Sequence, residues 1–359
     1  MQYFSRAESV ARWSVFLLFL LVPFFFVPVS WVGVAQAKML LSVIAVTVGF
    51  LAWVAMSLRD SELRIPRSPL LIAALLIPLA YLVSALVSGP SWGSLIGEGG
   101  GQDTVVGFAI WYAALFLSAA MLGAQTLRVA LALRLLMLGT LVVLAVQSVR
   151  LFIPAFTFGG ALPFAATSAV GSWHDLAIYL ALALFLSLVL LGTLAFTGIW
   201  RYAAFLAAAG SALFLVVINY SDVWLALGAL GLLYAFFRFR TPPADPRFGG
   251  YRAALLWLVF TVFSFGMYFA GTPIQRALPT QLQITQVEVR PSWKGTFAIG
   301  REVFAEPTQI FFGSGPSTFP REWGRYKPLS VNETQFWNTD FYYGVGFIPT
   351  SLVTTGILG

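Results

Sequence analysis

The sequence contains no cysteine and a single histidine in 359 residues. The first absence excludes disulfides, thiolate metal sites and cysteine nucleophiles, and together they exclude a zinc site built on the usual Cys and His ligands. Charge is scarce as well. Asp, Glu, Lys and Arg make up 10% of the chain, against roughly a quarter in an ordinary soluble domain. Disordered chains, acidic tails and nucleic-acid-coating proteins need dense charge and are excluded with it. What fills the chain instead is apolar: 59% hydrophobic and 16% aromatic residues, with a mean hydropathy of +0.85. A soluble globule of this composition would have little to present to water, so the class is a polytopic integral membrane protein.

Apolar runs long enough to cross about 30 Å of hydrocarbon, roughly 17 to 25 residues each, occur nine times, with the start of a tenth. They cover Trp13–Ser30, Met39–Ser57, Pro69–Val87, Thr104–Leu122, Val129–Phe152, Leu176–Phe196, Tyr202–Ile218, Val223–Phe237 and Ala253–Ala270; the tenth begins near Val345 and is cut short at Gly359. The runs are continuous rather than alternating, so helices and not barrel strands satisfy the backbone. The expected fold is all-α, with about nine to ten transmembrane helices. Three regions follow: a helical bundle over 1–270, a long loop over 271–343, and an apparently truncated further helix over 344–359.

Cations indicate direction, because cytoplasmic loops retain Lys and Arg during insertion. With the N-terminus inside, the cytoplasmic segments hold twelve of the 21 basic residues, including Arg59, Arg64, Arg67, Arg238, Arg240 and Arg247. The short external loops hold only Lys38 and Arg150, beside Glu98, Asp103, Asp175 and Asp222. The net charge of +7 is therefore mostly a topology signal and gives no sign of an acidic partner. The other seven cations lie in Gly271–Tyr343, which the same reasoning places outside. Connections of such length are usually functional or disordered. Trp293, Phe297, Phe304, Phe311, Phe319, Trp323 and Trp337 supply enough apolar surface for this one to pack.

Local punctuation is plainer. Ala35, Gln36 and Ala37 look like a cleavage site, but a second apolar run follows at once, so the first run reads as an uncleaved anchor. Pro23 and Pro28 within it predict a kink or a broken helix. The segment Arg238–Arg252, with Pro242, Pro243 and Pro246, divides the first eight runs from the rest.

Few ionisable residues remain to carry chemistry. Gly97–Gly101 has no following Lys-Ser/Thr and reads as an external turn rather than a phosphate loop, with Glu98 and Asp103 nearby as external acids. His174 follows Trp173 and precedes Asp175, at the outer start of the sixth run. The pair reads either as a base with an orienting carboxylate or as helix capping by Ser172 or Asp175; neighbours on a helix do not face each other, so a His174–Asp175 dyad needs irregular backbone. In the long loop, Arg290 and Lys294 flank Trp293 just before an amphipathic stretch, Gly295–Ala305, that contains Arg301. Such cations suit a diphosphate, through bidentate charge-assisted bonds, and equally suit anionic lipid headgroups. Gly313–Pro316 is a tight turn. Arg321, Arg325 and Lys327 form a second basic cluster with Trp323 and Tyr326, which either stacks on sugar rings or sits at the interface.

The order of many spans and one late external loop, the phrase RPSWKGTFAIGREVFAEPTQIFFGSGPSTF over Arg290–Phe319, VGSWHDLAIYLALAL over Val170–Leu184 and the closing SLVTTGILG over Ser351–Gly359 resemble the O-antigen ligase and O-antigen polymerase superfamily of bacterial membrane glycosyltransferases. The resemblance implies a GT-C-like architecture in the bacterial cytoplasmic membrane and a polyprenyl-diphosphate-linked glycan as donor. It also implies transfer to an acceptor hydroxyl on lipid, protein or glycan, with no nucleotide sugar, no required metal and no cofactor. It carries Arg290 over as the diphosphate-binding residue and Gly313 and Gly315 as its turn. The family's His before the final Gly-x-x-Gly has no counterpart in Tyr343–Phe347, which leaves His174, Asp222 or a loop Glu as bases. The rival class is a non-catalytic transporter, or a lipid-binding or scaffolding protein of the same shape. Transporters place ionisable groups at mid-bilayer and show inverted repeats, neither of which the sequence displays.

Overall fold

A computed structural model describes residues 6–60, 65–89, 92–97, 103–123, 125–153, 155–162, 167–193, 198–240, 251–279, 282–283 and 290–359. Glu62, Arg64, Glu98, Gly99–Gly101, Glu288 and the Pro-rich stretch 241–250 lie outside the described residues. All regular structure among the described residues is helical, apart from an isolated bridge between Thr167 and Ser172. Among the described residues, eight helices are long and apolar enough to cross a membrane: α2 (Val34–Asp60), α3 (Pro69–Val87), α5 (Val105–Leu122), α6 (Thr126–Phe152), α7 (Trp173–Thr193), α8 (Ile199–Ile218), α9 (Ser221–Arg240) and α10 (Tyr251–Ala277). The molecule is thus a multi-pass helical membrane protein. Leu70, Ile72 and Leu76 on α3 show the pattern of lipid-facing helices, apolar yet uncovered by protein.

Two of the expected runs take a different form. The first, Trp13–Ser30, is helical over only part of its length: α1 (Arg6–Leu21) has 16 residues and stops before Pro23. Proline lacks the N–H that the helix needs and pushes its predecessor out of the α region, and Pro28 prevents a restart. The ninth run does not stop at Ala270. Helix α10 continues through Pro273 to Ala277, so the long connection starts later than hydropathy alone suggests. The last apolar stretch forms α14 (Phe347–Thr355), nine residues ending at Gly356 with φ +69°.

The chain divides into two compact units, each described by itself. The first comprises Met1–Val15, Lys38–Thr126 and Val289–Gly359; the second comprises Phe16–Ala37 and Leu127–Glu288.

The second unit is a bundle of α6 to α10 around Leu176, Leu180, Leu215, Trp224 and Leu227, each essentially inaccessible. Helices α9 and α10 approach closely because Gly228 faces the Phe265 ring and Gly231 faces Thr261 and Phe260. Helices α8 and α9 are joined by Asn219 and Tyr220 alone, and Asn219 takes the left-handed conformation (φ 53°) that such a reversal requires. Its amide oxygen accepts the Trp224 indole N–H at 3.1 Å and occupies the space left by the missing side chain of Gly271.

In the first unit, α4 (Trp92–Leu95) packs on α3 and α5, α12 (Pro307–Phe312) and α14 pack on α3, and α11 (Trp293–Val303) and α13 (Phe319–Tyr326) pack on α14 and on each other. Ile299, Val303, Phe319, Trp323 and Val353 form a core of their own, so the late connection is folded. Tyr81 faces Ser351, and the Ser84 hydroxyl lies 2.5 Å from the Phe312 carbonyl and 3.1 Å from that of Thr354. Equal steps along both helices mean that α14 runs parallel to the end of α3. Two glycines interlock α12 with α14: Gly313 (φ +68°) lies against the Thr354–Thr355 backbone, and Gly356 lies against that of Phe311–Phe312.

Candidate functional site

Helix α11 begins where Ser292, in extended conformation, caps it, its Oγ accepting the Gly295 N–H at 3.1 Å. Arg290 and Lys294 therefore flank a helix N-terminus, the positive end of the helix dipole. The helix is held by its small and apolar side: Gly295, Thr296, Ile299, Gly300 and Val303 are buried. Thr296 Oγ1 accepts the Val345 N–H at 2.9 Å, and Arg290 donates to the Val345 carbonyl at 3.4 Å. Opposite stands Trp323 of α13, its indole N–H donating to Thr339 at 3.1 Å and its ring meeting Phe341 edge-on at 4.9 Å.

Between these elements lies an open cavity of about 310 Å³, lined by Arg290, Ser292, Lys294, Trp323, Phe336 and Phe341 among others. Two of the expected substrate-binding cations thus share a wall, with aromatic faces across from them. Lys294 is exposed and has no hydrogen-bond or ion-pair partner among the described residues. Two cations beside an apolar wall have the chemistry to hold an anion.

The other loop cations have different employment. Arg321 donates through Nε to Glu322 at 2.8 Å and through Nη2 to the Ser314 carbonyl at 3.3 Å, and Arg325 lies 3.9 Å from the same carboxylate. Glu322 is almost wholly buried, so the second basic cluster is an ion-pair group built round a hidden acid. Lys327 donates to the Trp337 carbonyl at 2.5 Å. Trp293 and Arg301 do not line the cavity; Trp293 stacks on Phe297 at 5.5 Å. Gly313 and Gly315 both have positive φ and form the turn expected of them, with Ser314 and Gly315 N–H groups donating to Val353 and Thr354 at 3.1 and 2.8 Å.

His174, in the second unit, does not face Asp175. Asp175 accepts the Ser172 N–H and hydroxyl, both at 2.9 Å, while the Ser172 hydroxyl accepts the Asp175 N–H at 3.1 Å, a reciprocal cap at the start of α7. His174 Nε2 lies 2.6 Å from Asp222 Oδ2 in the first turn of α9, with Tyr220 edge-on to the imidazole at 4.8 Å. The His174–Asp222 pair has the geometry of a proton acceptor with its orienting carboxylate.

One acid missing from the expected site residues stands out. Asp103, just before α5, is buried and accepts the Tyr81 hydroxyl at 2.7 Å. Burial pushes its carboxyl above the usual range, and the bonds from Tyr81 and the Ser317 N–H only partly offset this. Among the described residues no group of three or more His, Asp or Glu side chains is placed to hold a metal ion.

Fold and site together define a multi-pass helical membrane protein whose folded late connection holds a cavity lined by two cations and three aromatic side chains. No protein-family model matches the chain, and no curated protein matches it.

Proposed function

We propose that this protein is an inverting membrane glycan transferase of the O-antigen ligase or polymerase kind, with a GT-C-like architecture. It takes an oligosaccharide from a polyprenyl-diphosphate carrier and transfers it to an acceptor hydroxyl at the external face of the bacterial cytoplasmic membrane. The observation that carries the reading is the cavity at the start of α11, where Arg290 and Lys294 meet the walls made by Trp323, Phe336 and Phe341. A diphosphate needs cations and N–H donors that hold it in place, and a sugar ring suits an aromatic face. At about 310 Å³ the cavity takes the diphosphate and the first sugar and leaves the rest of the glycan outside. When the oxygen of the acceptor hydroxyl bonds to the anomeric carbon, the bond from that carbon to the diphosphate oxygen breaks, the diphosphate leaves with the bonding electron pair, and the hydroxyl proton passes to water. Arg290 and Lys294 then neutralise the charge released on the leaving group.

The test replaces Arg290 by Ala in the full-length protein and measures transfer in vitro from a polyprenyl-diphosphate glycan, with surface glycan as the cellular readout. Loss of one charged contact of this kind lowers turnover by about two to three orders of magnitude. Unchanged transfer at equal protein levels overturns the reading. Retained binding of the lipid-linked glycan with no transfer by the unaltered protein favours the lipid-binding alternative.

A further inference from the structure

Helix α11 has a second side. At about 100° per residue, its buried residues Gly295, Thr296, Ile299, Gly300 and Val303 occupy one arc. The exposed arc is ordered by chemistry. Trp293 and Phe297, 58% and 59% exposed, lie within about 40° of each other and stack. Arg301 and Lys294 follow within about a further 60°, and Glu302 points about 180° away from Trp293. Two bare aromatics, then two cations, then an acid form the section expected of a helix lying in a bilayer interface.

Its height agrees with that section. Val345 donates to Thr296 on α11 at 2.9 Å, and Phe347, two residues on, meets Phe108 in the first turn of α5 with ring centroids 6.3 Å apart. Helix α5 is one of the membrane-crossing helices. The buried side of α11 is therefore tied, through Val345 and Phe347, to the level where α5 begins.

We infer that α11 is an interfacial anchor that seats Trp293 and Phe297 among the lipids and places Arg301 against anionic phospholipid headgroups. Aromatic burial holds the helix down, and charge makes the contact depend on anionic lipid. The inference does not depend on the proposed glycan transfer.

The absence of cysteine makes the test clean. The variants Phe297→Cys and Glu302→Cys each carry one nitroxide label on the full-length protein, reconstituted in phosphatidylcholine vesicles with and without phosphatidylglycerol. Collision of the label with oxygen and with a water-soluble nickel chelate reports depth. The expected result is oxygen dominating at position 297 and the chelate at position 302, with 297 moving shallower when phosphatidylglycerol is omitted and when Arg301→Gln is added. Equal chelate access at both positions overturns the inference. So does a label at 297 shielded from both reagents, which means protein covers the face, or a depth indifferent to phosphatidylglycerol, which removes the headgroup contact. Trp293→Cys repeats the reading at a second position, so a misfolded single variant does not decide the outcome.

Discussion

Replacing Gly313 by alanine probes the interlock that holds α12 to α14. Gly313 has φ +68° and ψ −169°, a region open essentially to glycine alone. An added Cβ would lie 2.3 Å from the Thr354 carbonyl carbon, 2.4 Å from its oxygen and 2.4 Å from the Thr355 nitrogen. All three are backbone atoms, so no side chain can swing aside. Backbone strain of about 1–3 kcal/mol adds to overpacking of about 1–3 kcal/mol. If the helices part, the hydrogen bonds from Ser314 and Gly315 to Val353 and Thr354 go too, at about 1 kcal/mol each. The total, about 4–8 kcal/mol, exceeds what this local contact can hold, so the expected result is detachment rather than global unfolding. Hydrogen exchange on the full-length protein should show residues 307–318 and 350–358 losing protection while α7 to α10 keep theirs. Gly324→Ala in α13 is the control: nothing lies within 4 Å of its Cβ, and alanine favours a helix interior by about 1 kcal/mol. Wild-type protection in the Gly313→Ala variant would refute the reasoning, because no relaxation of a flexible side chain can relieve this clash.

Two other perturbations follow from the buried and paired acids. Asp103 is held above its ordinary range by burial, so between the unfolded and folded values the folded protein keeps a proton that the unfolded chain releases. Its contribution is full at acid pH and is lost as pH rises through the folded value. Thermal midpoints of the wild type should therefore fall as pH climbs from about 4. Those of Asp103→Asn, which keeps an acceptor for Tyr81 without the charge, should be flatter; identical slopes count against the burial argument. For His174 and Asp222, a double-mutant cycle with His174→Gln and Asp222→Asn should give a coupling of about 1 kcal/mol or less, because the Asp222 side chain is 65% exposed. Added salt should weaken it, and a coupling of several kcal/mol would show that solvent does not screen the pair.

Much of the architecture was legible in the runs themselves, since lipid demands unbroken apolar helices and Pro23 marks where one must fail. Hydropathy was a poor guide to the end of α10, because Gly271–Ala277 is polar yet stays helical past the apolar stretch. The cap formed by Ser172 and Asp175 could be read from spacing, being local. The partner of His174 could not: Asp222 is 48 residues away, brought there by the packing of α7 against α9. Glu322 illustrates the same limit. In the sequence it is one acid among six in a basic loop, whereas folding buries it and turns Arg321 and Arg325 inward upon it. What separates Arg290 and Lys294 from those cations is the cavity beside them, which depends on Trp323 and Phe341 arriving from further along the chain.

The two-residue link between α8 and α9 also constrains how the chain enters the bilayer. Helix α9 is the least apolar of the eight crossing helices, and Arg238 and Arg240 crowd its last turn. With only Asn219 and Tyr220 between them, α8 and α9 cannot be released into lipid far apart in time or place. Tethered so closely, the two enter the bilayer together, yet α8 packs on α7 while α9 finds its partner in α10, at Gly228 and Gly231. Membrane insertion here is a property of the pair and not of each segment taken singly.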